Sequence, residues 1–208
     1  MTMKNLLKSI MAGFALSFGC IIYITLHHES HILGAALFSI GLLMIYMFDW
    51  NLYTGKACYI VENASNWKSY TGVVITSFVG NLIGTAAMAL IMQQTKLVSL
   101  VPTAEEVAAS KLAGTPFSTF IMGIGCGVMM YVAVDSYKHA KDSVGKYLLL
   151  IMAIVIFTIS GFEHVVANMF YYTMGNAWDL KTVAYLFICC LGNTVGCSII
   201  PFTKKFTD

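Results

Sequence analysis

The chain has 208 residues, of which 58% are hydrophobic and only 11% are charged, and its mean hydropathy is +0.77. Ordinary soluble domains contain roughly 25% charged residues. This composition excludes a typical soluble domain and indicates an integral membrane protein, with the lipid bilayer as a partner. The formal net charge of +2 is small and no basic-aromatic motif is present, so no nucleic-acid partner is expected.

Six apolar runs follow one another along the chain, each about long enough for a bilayer core of ~30 Å at 1.5 Å rise per residue. No signal-peptide cleavage pattern precedes the first run, which we expect to be retained as a span. The sequence therefore predicts an all-α membrane fold, a single transmembrane domain over residues 1–208. The runs cover approximately residues 10–26, 32–48, 72–92, 116–134, 147–172 and 182–201.

The chain contains twelve lysines and no arginine, and the lysines are unevenly placed. Eight of them, including Lys141, fall on one side of the six predicted spans, whereas Lys96, Lys111 and Lys181 fall on the other. Excess positive charge marks the cytoplasmic side of a membrane protein. We therefore expect a multi-pass protein of the inner (plasma) membrane with both termini in the cytoplasm.

Two halves of the chain resemble one another. The pattern G-N-x-x-G occurs at residues 80–84 and again at residues 192–196, an offset of 112, and Gly13 aligns with Gly123 at an offset of 110. Three spans per half give the halves opposite orientations, an inverted repeat over about residues 8–95 and 116–203. Helix packing alone would also explain the glycines.

Glu163 and His164 are the most informative residues of the chain. Apart from tyrosines they are the only ionisable groups between residues 147 and 174. A charge at the bilayer centre costs about 2.5–3.5 kcal/mol even on insertion scales, so such residues usually face a cavity or pathway. The repeat places Thr54 opposite His164, in a polar stretch at residues 49–56 that interrupts span two. Broken helices in spans two and five follow, unless residues 49–56 are simply a loop after span two.

Five segments together resemble the formate/nitrite transporter family, and the resemblance covers all six spans. It implies an aquaporin-like fold, a homopentamer with one pore per protomer, and passive or proton-linked conduction of small monovalent anions or their conjugate acids. The segments are Leu52-Tyr53-Thr54-Gly55, Gly123-Ile124-Gly125-Cys126, Gly161-Phe162-Glu163-His164-Val165-Val166-Ala167-Asn168-Met169, and the two G-N-x-x-G patterns.

The resemblance also implies roles for single residues. His164 and Thr54 would form the pore centre, with supporting roles for Glu163, Asn168, Asn81 and Asn193. Phe38, Leu42 and Phe157 would form the cytoplasmic constriction, and Leu52 and Tyr53 part of the outer one. Lys111, in the outer vestibule, and Lys56 and Lys8 would attract anions.

Two departures from the family pattern bear on the permeant species. Gly127 stands where the family commonly has Asn, and Lys56 directly follows Thr54-Gly55. Both features are similar to the hydrosulfide channel branch of clostridial type. The sequence therefore predicts hydrosulfide (HS⁻/H₂S) as the permeant species, with formate or nitrite as the alternative.

Functions of other classes have weaker support. No catalytic constellation or phosphate-binding loop is visible, so we expect no enzyme, no catalytic residue and no cofactor. An ammonia or water channel is an alternative, although ammonia conduction usually uses two facing histidines and only one lies in a span here. The segment His27-His28-Glu29-Ser30-His31 offers metal ligands, but a polar connector is expected there anyway, and no metal site is assigned.

Overall fold

The computed structural model describes residues 2–140 and 142–207, apart from the side chain of Ser143, and Lys141 of the lysine count lies outside them. Over these ranges every regular element is a helix. Nine α-helices are connected by loops and two short 3₁₀ turns. They are α1 Met3–Thr25, α2 His31–Met47, α3 Tyr53–Ala57, α4 Trp67–Gln93, α5 Val101–Leu112, α6 Pro116–His139, α7 Ser143–Ile159, α8 Val165–Met174 and α9 Leu180–Thr207.

Four of these helices are long and apolar enough to cross a membrane: α1, α4, α6 and α9. The runs predicted at residues 32–48 and 147–172 instead begin with shorter apolar helices, α2 and α7, which have 17 residues each. A loop follows each of them, and then a short helix, α3 or α8. The second and fifth apolar segments are therefore not single continuous helices.

Both α2 and α7 end in the same way. The residue after each cap, Asp49 or Gly161, has a positive φ, 52° and 68° respectively. The next N–H then bonds back across the turn, from Trp50 to the carbonyl of Ile45 (2.9 Å) and from Phe162 to that of Phe157 (3.0 Å). This six-to-one bond is the Schellman motif, which usually places glycine at the left-handed position. The two motifs lie 112 residues apart, the offset of the G-N-x-x-G patterns.

The helix ends lie at two opposite faces of the molecule. At one face, which we call the terminal face, Lys8 near the N-terminus pairs with Asp49, and Lys204 near the C-terminus pairs with Asp135 (3.3 Å). At the other, the α5 face, the side chain of Gln93 donates to the carbonyl of Met174 (3.0 Å). His28 and Glu106 also pair there (3.4 Å). Both ends of the chain are therefore at the same face.

Glycines allow α1 to contact α4, and α6 to contact α9, at very short range. A β-carbon on Gly84 would lie 2.9 Å from the backbone nitrogen of Phe14, and one on Gly196 would lie 2.9 Å from the α-carbon of Gly127. Gly13 and Gly127 each face the carbonyl oxygen of an asparagine in the partner helix, Asn81 or Asn193. The contacts therefore make Gly127, not Gly123, the equivalent of Gly13 in the second half of the chain. Between α1 and α6 the repeat offset is thus 114 residues, not the predicted 110.

Substitution of Gly196 by alanine is expected to separate α6 from α9. A methyl group at this position meets backbone, which cannot rotate away, so we expect a loss of about 1–3 kcal/mol in stability, typical of overpacking. Thermal unfolding of detergent-purified protein measures the effect. Gly72→Ala is the matched control, because nothing lies within 4 Å of a β-carbon there. Equal melting temperatures for the two variants would contradict the packing role.

Candidate functional site

Two buried asparagines fix the N-terminal ends of the short helices. The side-chain oxygen of Asn81 accepts the N–H of Tyr53 at 2.7 Å, and its amide nitrogen donates to the carbonyl of Asn51 at 3.0 Å. The side chain of Asn193 does the same at α8. It accepts the N–H of Val165 at 2.9 Å and donates to the carbonyl of Glu163 at 2.7 Å. Both amides thus satisfy backbone groups at the starts of the short helices α3 and α8, which an apolar residue could not do.

At the centre of the molecule, these anchored segments bring His164 and Thr54 together. The Nε2 atom of His164 lies 3.1 Å from the hydroxyl oxygen of Thr54, and both side chains are buried. His164 is also the N-cap of α8, since its Nδ1 accepts the N–H of Ala167 at 3.2 Å. An imidazole that accepts at Nδ1 carries its hydrogen on Nε2 when neutral. His164 therefore presents an N–H donor toward Thr54.

The carboxylate of Glu163 is bonded to residues other than this pair. One carboxylate oxygen accepts from the amide of Asn168 at 2.7 Å and from the ammonium of Lys111 at 3.2 Å. The side chains of Glu163 and Lys111 are only 9% and 14% exposed, so little water competes for the pair. The supporting role of Glu163 stays a prediction, and the contact through which it would act is the hydrogen bond to Asn168. Hydropathy did not predict the ion pair, because the partners are 52 residues apart.

The environment of Lys111 has two opposing effects on its pKa. Burial alone would lower the pKa, because it disfavours the charged ammonium, but the charge of Glu163 and its hydrogen bond more than offset burial. The pKa of Lys111 is consequently raised above its ordinary value. Lys111 is therefore a fixed cation, and much of its field is cancelled by its partner.

Two cavities approach the His164–Thr54 pair from opposite faces. The larger, about 160 Å³, extends from His27 at the α5 face past Lys111 to His164 itself. The ring of Phe157 stacks on that of His164 with centroids 5.7 Å apart, and Phe38 contacts Phe157 edge-on at 6.0 Å. The smaller cavity, about 30 Å³, opens at the terminal face and reaches Leu52. The larger cavity is lined by His164, whereas the lining of the smaller one includes neither His164 nor Thr54.

The structure reverses the sides expected for the apolar constrictions. Phe38 and Phe157 line the cavity that holds Lys111, whereas Leu52 lines the cavity at the terminal face. Chain direction explains the error: α2 starts at the α5 face, so Phe38 lies nearer that face than Leu52 does. Leu42 is fully buried and lines neither cavity.

Tyr53 was expected in the outer constriction, and this expectation is wrong. The hydroxyl of Tyr53 is hydrogen-bonded to the hydroxyl of Thr194 in α9, at 2.7 Å. The ring of Tyr53 packs edge-on against Phe78. The side chain therefore points toward neighbouring helices, and Tyr53 contributes its backbone N–H to the site through Asn81.

The three lysines assigned to anion attraction do not share one cavity. Lys56 lines the smaller cavity with Lys138, and Lys8 reaches its rim only through the ion pair with Asp49. These last three lysines therefore lie at the terminal face, opposite Lys111.

Gly127 does not face the central pair: a β-carbon there would lie 2.7 Å from the backbone nitrogen of Cys197. Its role is helix packing, so it carries no information about the permeant species.

Within residues 2–140 and 142–207, no three histidine, cysteine or acidic side chains are grouped so as to hold a metal ion. His27, His28 and His31 nevertheless cluster at the mouth of the larger cavity, with the rings of His27 and His31 4.7 Å apart. The cysteines are free thiols, and Cys58 and Cys197 lie close together behind Thr54 with sulfurs 3.3 Å apart.

The apolar helices and the interrupted segments at a buried polar centre define a multi-pass helical membrane protein. A model of the family described as formate/nitrite transporter matches residues 1–204. The chain belongs to the formate/nitrite transporter family, as its motifs indicated.

Relatives and solved structures agree with this assignment. A formate channel, FocA, from Haemophilus influenzae is 28% identical over an alignment of 191 positions, and the match covers 82% of this chain and 66% of the relative. The chain thus spans slightly less than two thirds of the relative's length. A structure described as an FNT family ion channel superposes with a TM-score of 0.87 at 21% identity, covering 99% of this chain and 90% of the other. A structure described as a pentameric formate channel with formate bound superposes with a TM-score of 0.84 at 23% identity. This match covers 98% of this chain and 96% of the other. These two structures establish the fold.

Proposed function

We propose that the chain is a passive or proton-linked channel for small monovalent anions or their conjugate acids. The observation that carries this proposal is the pair His164 and Thr54, held between two cavities that open at opposite faces. A buried polar pair that one cavity reaches, with a second cavity on the opposite side, suits a pathway through a membrane, whereas a packing device needs no cavities. The relatives described as channels support the same function.

The proposal includes a membrane topology. We infer that α2 with α3 and α7 with α8 act as interrupted spans, which makes six spans in two inverted halves of one domain. The 112-residue spacing of the Schellman motifs and of the asparagine anchors supports this arrangement. The lysine-rich terminal face would lie in the cytoplasm, so that the larger cavity opens to the outside. A homopentamer is proposed from the pentameric structural neighbour.

An anion entering the larger cavity would first meet Lys111 and then the rings of Phe38 and Phe157. Passage between aromatic rings removes water from the anion, which is costly for a charge and much cheaper for the neutral acid. At the far end the Nε2–H of His164 would replace part of the lost hydration, aided by the positive end of the α8 dipole.

The hydrogen-bonding of His164 favours a donor role over proton release. Its Nδ1 already accepts the N–H of Ala167, so a second proton on the ring would remove the cap of α8. A neutral imidazole that donates through Nε2 can bind an anion but has no proton to release at neutral pH. We therefore propose that any proton that accompanies the anion comes from solution through the larger cavity.

The permeant species is proposed from the relatives. Formate, given above as the alternative, is favoured over hydrosulfide because relatives are described as formate channels and Gly127 has a packing role. The test is a liposome flux panel of formate, nitrite, hydrosulfide, chloride and lactate between about pH 5 and about pH 8, the range in which an unperturbed histidine titrates. We expect formate to be fastest. Flux of none of these anions above that of empty liposomes would overturn the channel proposal, and hydrosulfide in first place would overturn the choice of formate.

A further inference from the structure

The loop between α1 and α2 carries three histidines that the proposed pathway does not use. The ring centroids of His27 and His28 are 5.1 Å apart, and those of His27 and His31 are 4.7 Å apart. His27 lines the larger cavity, and its Nδ1 is buried with no hydrogen-bond partner among the described residues. The cluster therefore forms part of the cavity mouth at the α5 face.

The groups around this cluster are mainly acidic. Glu106 of α5 contacts His28, and Glu29 lies in the same turn as the histidines. Lys111 is on the same cavity wall, but Glu163 pairs with it. From α1, Tyr23 contacts the rings of His27 and His31, and Tyr171 of α8 contacts Tyr23. With neutral histidines, the mouth is a poor place for an anion.

Protonation would reverse the charge of the mouth. The three histidines with Glu29 and Glu106 carry two formal negative charges when the rings are neutral, and one positive charge when all three are protonated. A cavity lined by one sign of charge concentrates ions of the other sign and raises their rate of entry by about tenfold or more. Proton binding to this loop would thus change the supply of anions to the pathway without any movement of the helices.

We propose that His27, His28 and His31 form a proton-dependent site that attracts small anions to the larger cavity at acidic pH and releases them at neutral pH. The proposal rests on the proposed anion channel. It adds a regulatory site at the mouth of the larger cavity, whose other end is lined by His164. The ligand class of this histidine site is the small monovalent anion. The three rings are not grouped so as to hold a metal ion.

The environment of His27 sets the pH range. Burial lowers the pKa of His27 below its ordinary value, and His31 lowers it further, whereas Glu106 acts in the opposite direction. Because a histidine is charged below its pKa, the ring on the cavity wall becomes cationic only below the ordinary value of about 6.5. Attraction should therefore be absent near neutral pH and present in acid.

The experiment compares formate flux of the wild-type protein with that of the triple variant His27→Gln, His28→Gln, His31→Gln in low-salt liposomes. Measurements at about pH 7.5 and about pH 5.5 bracket the ordinary histidine pKa. The result is expressed as the ratio of wild-type flux to variant flux at each pH. Titration of formate and the presence of His164 affect both proteins equally, so they cancel in this ratio. We expect a ratio near one at the higher pH and about ten at the lower pH, and we expect about 1 M salt, which shortens the Debye length to ~3 Å, to abolish the difference.

His139→Gln is the matched control, because this exposed histidine pairs with Asp135 at the terminal face, away from the larger cavity. It should behave as wild type at both pH values. The double variant His28→Gln, His31→Gln keeps the part-buried His27 and serves if the triple variant does not assemble. The histidine proposal is overturned, and the channel proposal is unaffected, if the flux ratio is the same at both pH values. The same conclusion follows if the difference between the two pH values remains in high salt. Absence of wild-type flux of formate and of the other four anions of the panel at both pH values overturns the channel proposal as well.

Discussion

Replacement of His164 by asparagine is expected to reduce anion flux by about 10- to 100-fold, because a hydrogen bond to a charged species contributes about 1.5–3 kcal/mol. Asparagine is a good N-cap, so its side-chain oxygen can still accept the N–H of Ala167 and α8 stays formed. The shorter side chain cannot also reach the position of Nε2, 3.1 Å from Thr54. The substitution therefore separates the structural task of His164 from its proposed contact with the anion.

Three measurements make this result decisive. Size-exclusion chromatography should show an unchanged assembly, and His139→Asn at the terminal face should keep wild-type flux. Thr54→Ser, which keeps the hydroxyl, should conduct far better than Thr54→Ala. Unchanged flux and unchanged pH dependence in His164→Asn would show that His164 caps a helix and does nothing more.

Hydropathy predicted the helices well because burial in lipid is a local property of the sequence. The four long helices overlap the runs predicted for spans one, three, four and six. The polar residues at 49–56 indicated that the apolar pattern breaks after α2, but they did not give the form of the turn. Asp49 occupies a left-handed position that glycine normally takes, and its side chain is held by Lys8 from another helix. Such a turn depends on tertiary contacts that a local pattern does not contain.

The candidate site was predictable where the repeat applied and unpredictable where single contacts decide. An offset of 110 placed Thr54 opposite His164, and the two side chains do meet. The asparagine anchors relate the halves by 112, so the repeat equivalent of His164 is Leu52, and the His164–Thr54 pair is a contact between non-equivalent positions. Neither the repeat nor the family resemblance gives side-chain directions. The resemblance therefore assigned Tyr53 to a constriction, although its hydroxyl is hydrogen-bonded to Thr194. The exchange of Phe38 and Leu52 between faces was avoidable, since the direction of α2 follows from the order of the spans.

Substitution of Lys111 by methionine is expected to destabilise the protein by about 3–5 kcal/mol, because it leaves the buried carboxylate of Glu163 without its cation. The same carboxylate positions Asn168 through a 2.7 Å hydrogen bond, so α8 should be affected directly. The double variant Lys111→Met, Glu163→Gln removes both charges and keeps an acceptor for Asn168. It should recover most of the lost stability in thermal unfolding of detergent-purified protein. A double variant no more stable than the single one would mean that the ion pair is not what the site depends on.

The double variant also separates two roles of Lys111, attraction of anions and neutralisation of Glu163. If attraction dominates, the stable double variant should still lose flux; if neutralisation dominates, its flux should recover with its stability. Because the pKa of Lys111 is raised, its stabilising charge is fully present below the unfolded-state pKa of about 10.4 and is lost only as the pH rises through the higher folded value. Lys111 therefore keeps its charge throughout the range in which flux is measured. A change in flux between neutral and acidic pH must come from other groups, and the histidines at the cavity mouth are suitably placed to cause it.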